Sequence, residues 1–301
     1  MNGALVEAAI LSYVSKLGRG EVNIPTPIME TMMKEISDTL IHKDRDDAFR
    51  IRLSSVGKPL CQLILEKQGQ EKIKAEPMRN PMRLMVGDML EAYIVALIRA
   101  SELPVVDVQI PVKLSLAGQD ISGTADIIIG DTVYDIKTAS DFSFSKFKSG
   151  FHSIVDNDPF GYVAQGYCYA AALNLKFGGW IVLNKNSGDI CVCATPDNDE
   201  AYKKAALETA EASVLALINN EEFKRCFTDE EETFSKKSTG NRKLNVTCSY
   251  CDFRFSCWNN LQLKPSAFST AMSPPLVHYT EYNYAKKRDD EGNWNIEKVE
   301  S

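Results

Sequence analysis

Histidine is nearly absent: His42, His152 and His278 are the 3 in 301 residues, and none falls in a recognisable metal or catalytic motif. Any metal-based chemistry must therefore draw on other donors. Long apolar runs are missing too. No stretch approaches the about 20 residues of a membrane-spanning helix, so no membrane partner is expected. The N-terminal Met1-Asn-Gly-Ala-Leu-Val-Glu7 lacks a basic start followed by an apolar core, so a secretory signal is not expected. No glycine-rich phosphate loop closing on Gly-Lys-Ser/Thr occurs, which excludes a fused ATP-driven motor. Positive charge is not in excess: 34 basic against 41 acidic side chains leave a net charge of −7. Contact with nucleic acid would need a local basic groove rather than a polycationic surface. There is no internal repeat.

What is present suffices for one large core or a core with appendages: 44% of residues are hydrophobic. Apolar periodicity places helices within 1–50, a turn at 52–61 leading into a short helix, and a strong helix over about 81–101. Strands are expected at 105–116, 121–129 and 132–139, then a loop rich in Phe, Ser, Lys and Asp over 141–160. A helix follows at 160–174, a hairpin at 178–193, an amphipathic helix at 197–220 and a polar, extended tail after Pro265. Helix, three antiparallel strands, helix and strand in that order predict an α/β fold with a mixed sheet. The expected organisation is an N-terminal helical region (1–50), a core (51–260) and a polar C-terminal tail (261–301).

The densest chemistry lies in Gly123-Thr-Ala-Asp-Ile-Ile-Ile-Gly-Asp-Thr-Val-Tyr-Asp-Ile-Lys137. Its β-branched and aromatic residues read as two strands. Gly130-Asp131 reads as a two-residue turn with glycine first, as a II′ turn requires. The register that follows pairs Ile129 with Thr132, Ile128 with Val133, Ile127 with Tyr134 and Asp126 with Asp135. Directly opposed residues have Cβ atoms about 4.5–5.5 Å apart, and Lys137 shares the face of Asp135. Opposed like charges in an apolar hairpin are destabilising unless compensated. A divalent cation held by oxygen ligands compensates them, with Lys137 placed to stabilise developing negative charge. The competing reading is a surface hairpin with scattered charges; isoleucines on both faces argue for burial instead.

The second constellation is Cys248-x2-Cys251-x5-Cys257. Three closely spaced thiols call for a fourth ligand, and the distant Cys61 is the best candidate. Cys168, Cys191, Cys193 and Cys226 read as packing cysteines. Four thiolates suit either Zn²⁺ or an iron–sulfur cluster, and spacing alone does not decide.

Together these pieces resemble the RecB-type PD-(D/E)XK nucleases, specifically the iron–sulfur branch that includes the CRISPR adaptation nucleases and AddB-like nuclease modules. The match runs over about residues 52–258. Gly123-Thr-Ala-Asp126 resembles the second motif, Asp135-Ile-Lys137 the third, and Gln165-x3-Tyr169 the helix that follows. The resemblance implies a PD-(D/E)XK core, a central mixed sheet flanked by helices, stapled by a [4Fe–4S] cluster on Cys61, Cys248, Cys251 and Cys257, or Zn²⁺ at the same site. It implies Mg²⁺ or Mn²⁺ held by Asp126, Asp135, Glu91 and the Ile136 carbonyl. Lys137 orients the attacking water or stabilises the transition state, Gln165 positions the lysine or phosphate, and Tyr169 supports it. One departure is Glu91, which stands where many members have a histidine; Asp88, one turn earlier, is the alternative ligand.

The implied activity is a metal-dependent DNA exonuclease acting on single-stranded or end-containing DNA, in recombination, repair or phage DNA metabolism. A helicase or recombination partner and a cytoplasmic setting in a bacterial, archaeal or phage-infected cell are expected. The alternatives are an endonuclease or end-trimming nuclease of CRISPR adaptation and, in another class, a non-catalytic zinc- or cluster-stapled DNA-binding protein. Phe142, Phe144 and Phe147 interleaved with Lys146 and Lys148 could stack bases and meet phosphates, or form core. Lys236, Lys237, Arg242 and Lys243 form the densest basic patch.

Overall fold

The structure, a computed structural model, describes residues 2–40, 49–73, 79–234, 237–269, 271–288 and 294–299. His42 and Lys236 lie outside the described residues. The chain forms two compact units, Met1–Lys58 with Lys74–Asn220, and Pro59–Ile73 with Glu221–Ser301. The division therefore falls elsewhere than the expected 50/51 and 260/261 boundaries. Among the described residues no helix is long and apolar enough to cross a membrane.

The first unit is α/β. Its sheet has the order β1 (Val105–Leu116), β2 (Gln119–Ile129), β3 (Thr132–Ala139), β4 (Lys176–Asn184), β5 (Ile190–Ala194). Only β3 and β4 run parallel, so the sheet is mixed as expected. β4 is buried along nearly its whole length, which its unbroken Trp180-Ile-Val-Leu183 run dictates. One face carries α1 (Gly3–Gly18) and α4 (Arg79–Ala100), whose Val6, Ile10, Ile94 and Ile98 pack on Ile127, Tyr134, Ile136 and Ile181. The Glu7 carboxylate accepts the Val192 N–H at 2.6 Å, so α1 also satisfies the edge strand β5. The other face carries α5 (Asp141–Lys148), α6 (Phe151–Val155), α7 (Tyr162–Leu173) and α8 (Glu200–Ile218). α2 (Thr26–Leu40) packs against α4.

The 141–160 segment is a correction: it holds α5 and α6 rather than a loop. Phe144, Phe147, Phe151 and Ile154 are all buried, a helical spacing carried across the break at Gly150, whose φ is +100°. Phe144 and Phe147 are thus core. Phe142 alone is exposed, at 65%, with Lys146 Nζ 5.0 Å above its ring.

α7 enters at a crowded point. Gly161 has φ +76°, and a Cβ there would lie 2.3 Å from the Gly57 carbonyl carbon. Gly161→Ala combines left-handed backbone strain with a backbone clash and is expected to cost about 3 kcal/mol, read by urea unfolding. An undiminished unfolding midpoint would refute this close approach.

The second unit comprises α3 (Leu60–Lys67), β6 (Glu230–Phe234), β7 (Lys237–Lys243), α9 (Val246–Tyr250), α10 (Arg254–Cys257), β8 (Gln262–Pro265), β9 (Leu276–Glu281), β10 (Tyr284–Arg288) and β11 (Trp294–Lys298). The residues after Pro265, expected to be extended or poorly ordered, form the β10–β11 pair and supply β9 to a sheet of order β6-β7-β9-β8. Its core polar group is Glu232, whose carboxylate accepts from Tyr279 Oη at 2.7 Å, Asn241 Nδ2 at 2.8 Å and Thr239 Oγ1 at 3.1 Å. A buried carboxylate so fully bonded is a structural hub.

Candidate active site

The β2–β3 hairpin has the expected register through Ile129↔Thr132, Ile128↔Val133 and Ile127↔Tyr134, with Gly130 at φ +61°. The expected Asp126–Asp135 pair is a correction, for the ladder ends at Ile127↔Tyr134. β3 is paired with β4 along its whole length, and on the side where β2 no longer pairs the Ile136 N–H donates to the Asp126 carboxylate at 2.7 Å. A side chain thus stands in for the strand that has moved away. The Ile136 side chain itself lies in the core.

The parting of the strands coincides with a change of face. On β1, Val105 and Val108 pack toward the α1/α4 side, whereas Ile110 and Leu114 pack toward the α5–α8 side. On β2, Ile121 and Ala125 pack toward the α5–α8 side and Ile127 and Ile129 toward α1/α4. Residues of the same parity swap faces at Gln109 and at Asp126, which the strict two-residue period of a strand forbids unless the backbone kinks. Gln109 supplies the kink with φ +51°, a left-handed conformation uncommon outside glycine and strained in a strand.

Around this kink gather the charged groups. Asp135 is 1% exposed, and its Oδ1 accepts no hydrogen bond. Its compensation is ionic: Lys137 Nζ lies 2.7 Å from Oδ2. Lys137 also sits 4.8 Å from the Tyr162 ring centroid, a cation–π contact. Burial alone would lower the Lys137 pKa, but the Asp135 and Asp126 carboxylates outweigh it and hold the ammonium above its ordinary range. Burial, reinforced by Asp135, pushes Asp126 well above the ordinary carboxylate range. Glu91, on α4, is raised to about 7 by burial and by Asp135 and Asp88, against the pull of Lys137. Its Oε1 accepts from Gln109 Nε2 at 2.6 Å. Asp88 is exposed, one turn from the group that Gln109 grips.

Gln165 and Tyr169 share one face of α7, and Gln165 Nε2 donates to Tyr169 Oη at 3.1 Å with both residues buried. The ring meeting Lys137, however, is that of Tyr162 at the start of the same helix. The Tyr162 and Val163 N–H groups are held by the Asp158 carboxylate at 2.9 and 2.8 Å. Gln109, Tyr162 and Asp158 were not singled out by sequence. An Asp just ahead of a helical pattern was a legible signal for Asp158, since such residues satisfy orphan helix N–H groups.

Among the described residues no three His, Cys, Asp or Glu side chains are grouped as they stand so that one ion could be held between them. The donor chemistry nevertheless fits a hard cation: three carboxylates, one of them buried with Oδ1 free of hydrogen bonds and Oδ2 held by Lys137.

In the second unit Cys61, Cys248, Cys251 and Cys257 line one small cavity with Leu65, Phe227 and Trp258. Burial pushes the Cys248 thiol there up to about 11, against the smaller effect of its hydrogen bond with the Trp258 indole. Thiols, apolar walls and an indole donor beside one of the thiols suit a sulfur-ligated group. Cys168, Cys191 and Cys193 are buried, as packing cysteines should be, but Cys226 is a correction. It is exposed, its Sγ accepts the Cys61 N–H at 3.2 Å, and its hydrogen bond with the Cys61 thiol lowers its pKa. The basic patch is also partly neutralised. Arg242 pairs with Asp229 at 2.6 Å, and Glu231 and Glu230 lie across the ladder from Arg242 and Lys243.

No protein-family model and no curated protein matches the chain. Among solved structures, that of SSO0001 aligns with a TM-score of 0.40 and 13% identity over 76% of this chain and 94% of its own. That of a "putative exonuclease" from Eubacterium rectale aligns with a TM-score of 0.32 and 20% identity, over 60% of this chain and 63% of its own. Likeness this slight assigns no function, which must rest on the site's own residues.

Proposed function

We propose that this chain is a Mg²⁺- or Mn²⁺-dependent deoxyribonuclease of the RecB-type PD-(D/E)XK kind. The observation that supports it most is Asp135 buried with Oδ1 free of hydrogen bonds and Oδ2 held by the Lys137 ammonium at 2.7 Å, beside the elevated carboxylates of Asp126 and Glu91. A protein that only binds DNA gains nothing from burying such a cluster; a site for a hard cation does. Asp126, Asp135 and Glu91, with the Ile136 carbonyl, would hold the metal. When bound, it lowers the pKa of water and neutralises charge on the scissile phosphate. Lys137 orients the attacking water or stabilises charge that builds on the phosphate. Tyr162 shields that ammonium from solvent, and the Gln165–Tyr169 pair stiffens the wall of the site.

The preferred substrate is single-stranded or end-containing DNA, cleaved from an end, in recombination, repair or phage DNA metabolism. Phe142 with Lys146 offers an exposed aromatic and a cation for such a strand. Cleavage of linear but not circular single strands, dependent on Mg²⁺ or Mn²⁺, is the expected result. Cleavage of circles would move the protein to the endonuclease reading, and metal-independent binding without cleavage would overturn the enzyme.

The same resemblance assigns a [4Fe–4S] cluster to Cys61, Cys248, Cys251 and Cys257, with Zn²⁺ the alternative. Anaerobically purified protein is expected to be brown, with about four irons and four sulfides per chain. Cys248→Ser should lose them and Cys226→Ser should keep them. Loss in Cys226→Ser with retention in Cys61→Ser would transfer the fourth position to Cys226.

A further inference from the structure

The kink at Gln109 is the least expected feature of the sheet, and three separate observations meet there. Its φ of +51° places a side-chain-bearing residue where glycine is the usual occupant. Its amide nitrogen donates to Glu91 Oε1 at 2.6 Å, across from β1 to α4. In the ladder its neighbours Val108 and Ile110 pair with Ile127 and Ala125, leaving Gln109 itself opposite Asp126 without a ladder partner. A strained non-glycine residue persists only where its surroundings hold it. Were the kink alone required, glycine would adopt it without strain; the side chain must therefore matter.

We infer that Gln109 is a positioning residue that aims the Glu91 carboxylate at the Asp126/Asp135 pair. The amide can do this where other side chains cannot. Lys or Arg would neutralise Glu91 and compete with the metal, Asp or Glu would repel it, and an aliphatic residue would leave it free to swing into solvent. A neutral donor fixes one carboxylate oxygen and leaves the charge available. Gln109 touches no reacting atom, so it acts through Glu91. The inference rests on the metal-dependent reading of the site and deepens it.

The test compares wild type with Gln109→Gly, which relieves the backbone strain while deleting the amide, and with Gln109→Leu. Mn²⁺ affinity is measured by titration calorimetry alongside Mg²⁺-dependent cleavage. Loss of an outer partner of a ligand typically weakens metal binding or activity about 10–100-fold. The expected result for Gln109→Gly is an apparent Mn²⁺ Kd raised about tenfold, with a thermal midpoint equal to or above that of wild type. A merely structural role predicts the reverse pattern, unchanged affinity with altered stability. The Glu91→Gln background supplies the second arm, because there Gln109→Gly should add nothing further. Undiminished affinity in Gln109→Gly, or a full further loss in the Glu91→Gln background, overturns the inference while leaving the nuclease reading intact. A wild-type protein that neither binds Mn²⁺ nor cleaves overturns both.

Discussion

Lys137→Ala is expected to lower Mg²⁺-dependent cleavage by at least about a thousandfold, the scale of removing one preorganised electrostatic donor. The magnitude follows from where the ammonium sits. It lies 2.7 Å from Asp135 Oδ2 and 4.8 Å from the Tyr162 centroid, in a pocket where water does little screening. Without metal, the carboxylates more than offset the cost of burial and hold the ammonium above its ordinary range. Stability follows the same electrostatics. A raised lysine stabilises the fold fully below the ordinary lysine range and loses that contribution only as pH rises through the folded value. At pH 8 without metal, the variant therefore unfolds more easily than wild type, by about 3 kcal/mol, because Asp135 is left buried and unpaired. Added Mg²⁺ should recover much of this. Full cleavage by the variant would remove Lys137 from the mechanism.

The sequence was most legible where a single periodicity governed. The Ile127–Ile129 and Thr132–Tyr134 runs flank a glycine-first turn, and the register they predict is the observed one as far as Ile127↔Tyr134. It failed one pair later. There the strict alternation that licensed Asp126 opposite Asp135 is interrupted by a kink, and no local residue announces it, since glutamine is not a residue that favours a left-handed backbone. The same kink hid Gln109, whose importance lies in a contact to Glu91, 18 positions away. Residues 141–160 failed for a different reason. Ser, Lys and Asp suggested a loop, while the core spacing of Phe144, Phe147, Phe151 and Ile154 was visible but spans a glycine break that divides it into two short helices. Cys226 read as a packing residue because exposure is a tertiary property; only its contact with Cys61 distinguishes it. Cys61 and the three cysteines of C-x2-C-x5-C line one cavity, because three are local and α3 brings the fourth into the same unit, but among the described residues they are not grouped as a ligand set.

Asp126→Asn should abolish cleavage and, in the absence of metal, make the protein more stable rather than less. The asparagine carbonyl can still accept the Ile136 N–H that Asp126 now accepts at 2.7 Å, so the local backbone keeps its partner. What disappears is a charge held where charge is costly. Burial and Asp135 raise the Asp126 pKa in the folded state, so the folded protein holds a proton that the unfolded chain gives up. Such a group's contribution is fully present below the unfolded carboxylate range and is lost as pH rises through the folded value. Glu91, raised to about 7, behaves in the same sense and places part of that loss close to neutrality. The stability of metal-free wild type should accordingly fall between about pH 4 and neutrality. Asp126→Asn should show a shallower decline, its advantage smallest in acid and growing toward pH 8. On the metal-dependent reading Mg²⁺ should reverse the ranking, because wild type would gain stability by binding it to the folded state and the variant would not. The loss in rate is at least about a thousandfold, since the metal supplies several kcal/mol of transition-state stabilisation and each 1.36 kcal/mol is a factor of ten. Thermal midpoints measured across pH, with and without Mg²⁺, separate this from ordinary damage. A variant less stable than wild type at pH 8 without metal would mean that Asp126 serves the fold, whereas the expected crossing of the two curves on adding Mg²⁺ would mean that its burial is a strain maintained for a cation.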